Sequence, residues 1–201
     1  MKNFNSIIRS IFVASIVMFT ASCSDQDEEV MNSADMQISL EAEKKAASNA
    51  SKAKMYSVEI SPLNGSGVSG TGELSLIGDQ LTVKIYANGL EANQLHIQHI
   101  HGFTENNANS VCPPASADQN GDGLVDLSEG APFYGPVLLS LTPFSNAPDG
   151  TIVFEQTYTV DTSITPLQNR VIVIHGMTVD GEYQVTLPVA CGQIKADQGN
   201  K

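Results

Sequence analysis

Val83-Lys84-Ile85-Tyr86-Ala87 places an apolar side chain at every second position, and Val171-Ile172-Val173-Ile174 is an unbroken apolar run. A period of two is the pattern of a strand with one buried face. Working outward, short runs of this kind recur from Met55 onward, near 55–62, 67–76, 80–88, 94–101, 136–142, 151–160, 169–175 and 182–190. Gly, Asn, Asp and Pro separate them, and that punctuation predicts an all-β domain. Residues 55–201 suit a single sandwich or closed barrel with one core. One connection, about 102–135, is much longer than the rest, and loops of that length usually carry function or bind something. The chain has no internal repeats.

The region before Met55 reads differently. Lys2 and Arg9 precede an apolar run, Ile11 to Phe19, that is short for a membrane span and ends in small residues, the layout of a signal peptide over 1–22. Thr20-Ala21-Ser22-Cys23 resembles a bacterial lipobox, which implies acylation of Cys23 as the new N-terminus. Residues 23–54 are polar and rich in Ala and Ser, with a weak helical pattern over 35–48, and read as a tether. The acidic start Ser24-Asp25-Gln26-Asp27-Glu28-Glu29 is similar to tracts that route bacterial lipoproteins to the cell surface. The expected location is therefore lipid-anchored, at the outer membrane and cell surface or facing the periplasm, with the bilayer as a partner. The chain has three cysteines; a lipid on Cys23 leaves Cys112 and Cys191, which can pair in an oxidising compartment. Loss of 1–22 removes Lys2 and Arg9, leaving 8 basic against 22 acidic side chains and a formal charge of −14. Such a chain has no basic patch to neutralise phosphates, which excludes nucleic acid as a partner.

Three of the four histidines fall within six residues, in Leu95-His96-Ile97-Gln98-His99-Ile100-His101-Gly102-Phe103. On a strand His99 and His101 share a face and His96 takes the other. Two imidazoles on one face can chelate a transition metal such as copper or zinc. The fourth, His175, ends the run Arg170-Val171-Ile172-Val173-Ile174, and a barrel could bring it beside that pair.

Leu95, His96, His99, His101 and Phe103, then Arg170, Val173 and His175, then Ala190, Cys191, Gly192 and Ile194 follow the order of motifs of the copper/zinc superoxide dismutases. The chain resembles that family over roughly 55–195. The resemblance implies an eight-stranded Greek-key barrel, His99, His101 and His175 as copper ligands, and a Cys112–Cys191 disulfide tying the long loop to the last strand. It implies a structural role for His96. Some family features have no counterpart. No histidine lies between 102 and 174, so the metal-bridging and zinc-site histidines are missing. In the family a guiding arginine precedes the Leu-Ala-Cys-Gly stretch, whereas here the residue three before Cys191 is Pro188, and the His175-to-Cys191 connection is short. Without local positive charge an anionic substrate gains no steering, so efficient dismutation is not expected. The Leu95–Gly102 stretch is also similar to the CHRD domains, secreted β modules, and this makes a non-catalytic module with a cell-surface or matrix partner the alternative. A residual copper-only superoxide dismutase is the third reading.

Within the long connection, Asp118-Gln119-Asn120-Gly121-Asp122-Gly123-Leu124-Val125-Asp126-Leu127-Ser128-Glu129 fills a twelve-residue calcium loop of the EF-hand type. Asp118, Asn120 and Asp122 take positions 1, 3 and 5, Gly123 makes the turn, Leu124 offers its carbonyl, Asp126 sits at 9 and Glu129 at 12. Oxygen ligands suit a hard cation, and four acids brought to one point repel without it. Pro113-Pro114 before the loop and Gly130, Pro132, Gly135 and Pro136 after it predict that no helix pair flanks it. Calcium is thus expected in a structural role.

Overall fold

Tyr56, Val58 and Ile60 are buried while their neighbours are exposed, and Leu81, Val83, Ile85 and Ala87 repeat the pattern two strands later. The computed structural model describes residues 53–197. The leader 1–22, Cys23 and all but the last two residues of the 23–54 tether lie outside them. Eight strands form one antiparallel sheet: β1 Lys54–Pro62, β2 Ser69–Ile77, β3 Gln80–Asn88, β4 Gln98–His101, β5 Val137–Ser140, β6 Ile152–Thr159, β7 Val171–Val179 and β8 Glu182–Ala196. Their order is β5-β4-β7-β8-β1-β2-β3-β6. The consecutive strands β1, β2 and β3 lie side by side, and β8 returns to pair with β1, a Greek-key arrangement.

The sheet curls so that its halves share one core. Leu81, Val83 and Ile152 from one half join Ile100, Ile172, Ile174 and Val189 from the other in a single buried cluster. Burying each such side chain is worth about 1.5–3 kcal/mol. The edge strands β5 and β6 bound the seam, and the Tyr158 hydroxyl donates across it to the Thr142 carbonyl at 2.8 Å. β7 and β8 join through Asp180-Gly181, whose φ of 52° and 86° are both left-handed. That is the two-residue turn that matches strand twist, and it needs Asp-Gly or its like.

Three expected strands change their bounds by four residues or more. β4 begins at Gln98, not 94, because Leu95–Ile97 leave the ladder and His96 makes only an isolated bridge to Ser145. β7, expected over 169–175, ends at Val179, because Met177 to Val179 pair with Glu182 to Gln184 in the hairpin to β8. β8 continues past 190 to Ala196, because its second half gains β1 as a partner on its other edge while it still pairs with β7 as far as Gln193.

The long connection is partly ordered as α1, Leu127–Tyr134, a helix the prolines and glycines argued against. The physical reason is its N-terminus. The Asp126 side chain accepts from the Ser128 and Glu129 N–H groups, and the Glu129 side chain accepts from the Asp126 N–H, a reciprocal capping box. The cap and the burial of Tyr134 outweigh the hydrogen bond that Pro132 forfeits. No helix pair forms; Ala115–Ala117 before the loop is a single 3-10 turn.

Arg170 fastens the start of this connection. Its guanidinium is wholly buried and donates to the carbonyls of Phe103 at 2.9 Å, Ile164 at 3.1 Å, and Ser163 and Thr165 at 3.2 Å. Backbone oxygens here take the place of a carboxylate partner.

Candidate metal centre

β4 and β7 pair with His99 opposite Val173 and His101 opposite Val171. Ile100, Ile172 and Ile174 point into the barrel core, so His99 and His101, one position on, face outward. His175, two positions beyond Val173, falls on the same outward side by strand alternation. The outer face is not open to solvent. Tyr134 of α1, Val171, Val173 and Cys191 make a second buried cluster there, with Leu63 and Cys112 packed against it. This is why the Val171–Ile174 run is apolar on both faces. The Cys112–Cys191 disulfide, with Cα atoms 5.7 Å apart, ties the long connection to β8 over this cluster.

His99, His101 and His175 come together here, with ligand nitrogens all within 4.8 Å of one another. Ring centroids are 5.4 Å apart for His99 and His175, 5.5 Å for His99 and His101, and 5.8 Å for His101 and His175. The nitrogens left over point to what the site can do. His101 Nδ1–H donates to the Gly135 carbonyl at 2.9 Å, and His175 Nδ1–H donates to the Thr186 carbonyl at 2.8 Å. Each ring then carries its lone pair on Nε2. Both Nε2 atoms, and Nδ1 of His99, are buried with no hydrogen-bond partner. A buried polar atom left unpaired costs about 1–3 kcal/mol, and three in one place call for a common partner.

Protons are poor candidates for that partner. Burial, and then the nearby His101, hold His99 at about 4; burial holds His175 at about 3, with the carbonyl of Thr186 opposing and the other two rings adding to the fall. Burial also lowers His101, against the pull of Gly135. Near neutral pH all three are neutral imidazoles with free lone pairs, the form that ligates a metal. A metal–imidazole bond is about 2.0–2.1 Å long, so small ring rotations bring the three nitrogens onto one ion. The donor set fits copper or zinc, and His99, only partly buried, leaves a side for a fourth ligand.

His96 lies outside this group. It is fully buried, with Nδ1 3.2 Å from the His175 carbonyl and Nε2 2.9 Å from the Glu91 carbonyl. It braces the crossing into β4.

The acidic loop has another geometry. Asp118 accepts from the Gly121 and Gly123 N–H groups at 2.7 and 2.9 Å. Asn120 Oδ1 accepts from Asp122, and Asp122 accepts from Leu124, both at 2.8 Å. Glu129 accepts from Gln119, Asn120 and Asp126 at 2.8, 3.2 and 3.1 Å. All the side-chain positions of the loop turn inward on its own backbone, Asp126 by way of the helix cap. Among the described residues, the ligand atoms close enough to share one ion are those of the three histidines.

Three residues of the centre have no signature in the sequence. Tyr134 meets His101 edge to face, with ring centroids 4.7 Å apart and planes at 62°, and Phe144 stands edge-on to His99 at 5.7 Å. Gly135 supplies the carbonyl for His101. All three come from segments that meet β4 only through the fold. No family model and no curated protein sequence matches the chain.

Proposed function

We propose that the domain is a transition-metal-binding module that takes copper through His99 Nδ1, His101 Nε2 and His175 Nε2. The observation that carries this reading is the trio of buried, convergent and partnerless imidazole nitrogens. Copper is favoured over the other divalent first-row metals at nitrogen ligands. A bound copper would supply one-electron redox chemistry. The resemblance in motif order supports placing the domain with copper/zinc superoxide dismutase-like proteins. Against efficient dismutation stand the two-residue β7–β8 turn in place of a longer guiding connection and a chain charge of −12 before any processing.

We further propose that the chain is an exported, lipid-anchored protein attached through Cys23, and that Asp118 to Glu129 holds calcium as a structural ion. The Cys112–Cys191 disulfide supports an oxidising compartment. The twelve-residue pattern of oxygen ligands supports calcium.

Metal analysis of protein reconstituted with copper and then desalted tests the main reading. About one copper per chain is expected, falling to none in His175→Ala, while His96→Ala keeps the copper and melts lower. No uptake by the wild type, with no change in His99→Ala, would sink it. A superoxide assay on the copper-loaded protein then decides between a binding module and a residual dismutase.

A further inference from the structure

We propose that α1 is the positioning element of the imidazole site: its capped N-terminus and its last residues set the ring plane and tautomer that His101 presents to a metal. The inference rests on the metal-binding reading above and goes beyond it. His175 is held by Thr186, a residue of the adjacent strand, so the sheet itself fixes that ring. His101 is held otherwise. Its Nδ1–H donates to Gly135, the residue that caps the C-terminus of α1, and its face meets the Tyr134 ring from the last turn.

The Gly135 carbonyl does two things at once. It finds a donor for one of the carbonyls a helix end leaves unpaired, and it takes the proton side of the imidazole. The other tautomer would carry its proton on Nε2, aimed into the cluster, and would block the ion. Supporting hydrogen bonds of this kind set ligand orientation and basicity at metal sites. Gly135 adopts φ 80°, and a Cβ there would lie 2.8 Å from the Gly102 backbone. Only glycine meets both conditions.

The placement of α1 is itself built from outside the sheet. The Asp126–Glu129 box starts the helix, and Glu129 draws in the backbone of Gln119 and Asn120. Asn64, in the β1–β2 turn, donates to the Val125 carbonyl at 3.0 Å and accepts from the Val125 N–H at 2.8 Å, as a neighbouring strand would. The same Asn64 amide donates to the Pro188 carbonyl at 2.9 Å, and Pro188 is the strand partner of His175. Tyr134 closes the helix by donating to the Leu127 carbonyl at 3.1 Å. An unbroken set of contacts thus runs from the acidic loop to two of the three rings.

The test uses the full chain in two states. In the metal-free protein, nitrogen-15 spectra of the imidazoles should show His101 fixed as the Nδ1–H tautomer, and a tautomer mixture in Asp126→Ala and Tyr134→Ala. In competition with a chromophoric copper chelator, both variants should bind copper about 10–100-fold more weakly, and Tyr134→Phe, which keeps the ring, should restore most of the affinity. Ile85→Val, a core change remote from the site, should leave affinity unchanged and so separates positioning from general destabilisation. If Tyr134→Ala does not fold, Asp126→Ala, at a half-buried cap, carries the test. Copper bound with equal affinity by wild type, Asp126→Ala and Tyr134→Ala, with an unchanged His101 tautomer, would overturn the inference and leave the metal reading standing. A tautomer that follows Tyr134 in a protein taking up no copper would support the positioning and overturn the metal reading alone.

Discussion

The three clustered imidazoles present a lone pair inward because a carbonyl elsewhere holds the proton of two of them, and burial keeps all three uncharged. This has a consequence for acid stability. In the unfolded chain each imidazole titrates near its ordinary value of about 6.5, whereas in the folded domain His99 titrates at about 4 and His175 at about 3. Between those limits the unfolded state binds more protons, so stability rises with pH there. The metal-free domain is therefore expected to hold its full stability above about pH 6.5 and to lose it progressively toward pH 4. Thermal melts at a series of pH values check this, and His175→Gln should flatten the slope. A midpoint as high at pH 4.5 as at pH 7.5 in the wild type would contradict it. Arg170 is the opposite case, a buried charge that four carbonyls satisfy. Arg170→Ala should cost several kcal/mol, since hydrogen bonds to charged groups are worth about 1.5–3 kcal/mol each, read as a lowered denaturant midpoint.

α1 shows how an element can form against its own propensities. Gly130 and Pro132 disfavour it, yet the Asp126–Glu129 box and a buried Tyr134 compensate. The Ser128 hydroxyl first, and the backbone N–H groups with it, hold the Asp126 carboxyl below its ordinary range. Asp126→Ala removes the cap and should lower stability by about 1 kcal/mol, measured by urea unfolding, whereas Asp126→Asn should cost less. The same two carboxylates are positions 9 and 12 of the proposed calcium loop. Each retains lone pairs beyond those its N–H partners use. A melt with and without chelator should show a lower midpoint without calcium; identical midpoints would count against a filled loop.

At the scale of the whole molecule, the disulfide closes a separation of 79 residues and fastens the long connection on the outer face of β7 and β8. Loop-closure entropy alone assigns such a crosslink about 4 kcal/mol. Cys112→Ser should lower the urea midpoint accordingly. Because the crosslink covers the face that carries the histidines, copper affinity should fall with it, and unchanged stability in the reduced protein would show that the connection docks without it.

The sequence determined much of this by itself. Strand periodicity located the eight strands, since a side chain's face follows from its parity along an extended chain. The spacing of His99 and His101 put both on one face for the same reason. The twelve-residue acidic pattern was legible because its residues are contiguous. Only the tertiary structure decided that the Val171–Ile174 run is covered on both sides, that α1 forms, and that Tyr134 and Gly135 rather than the sheet hold His101. These contacts join residues more than thirty positions apart. The preference of Gly or Pro for a loop is a local free energy of about 1–3 kcal/mol, and a cap with a buried aromatic exceeds it only once the chain has closed around them.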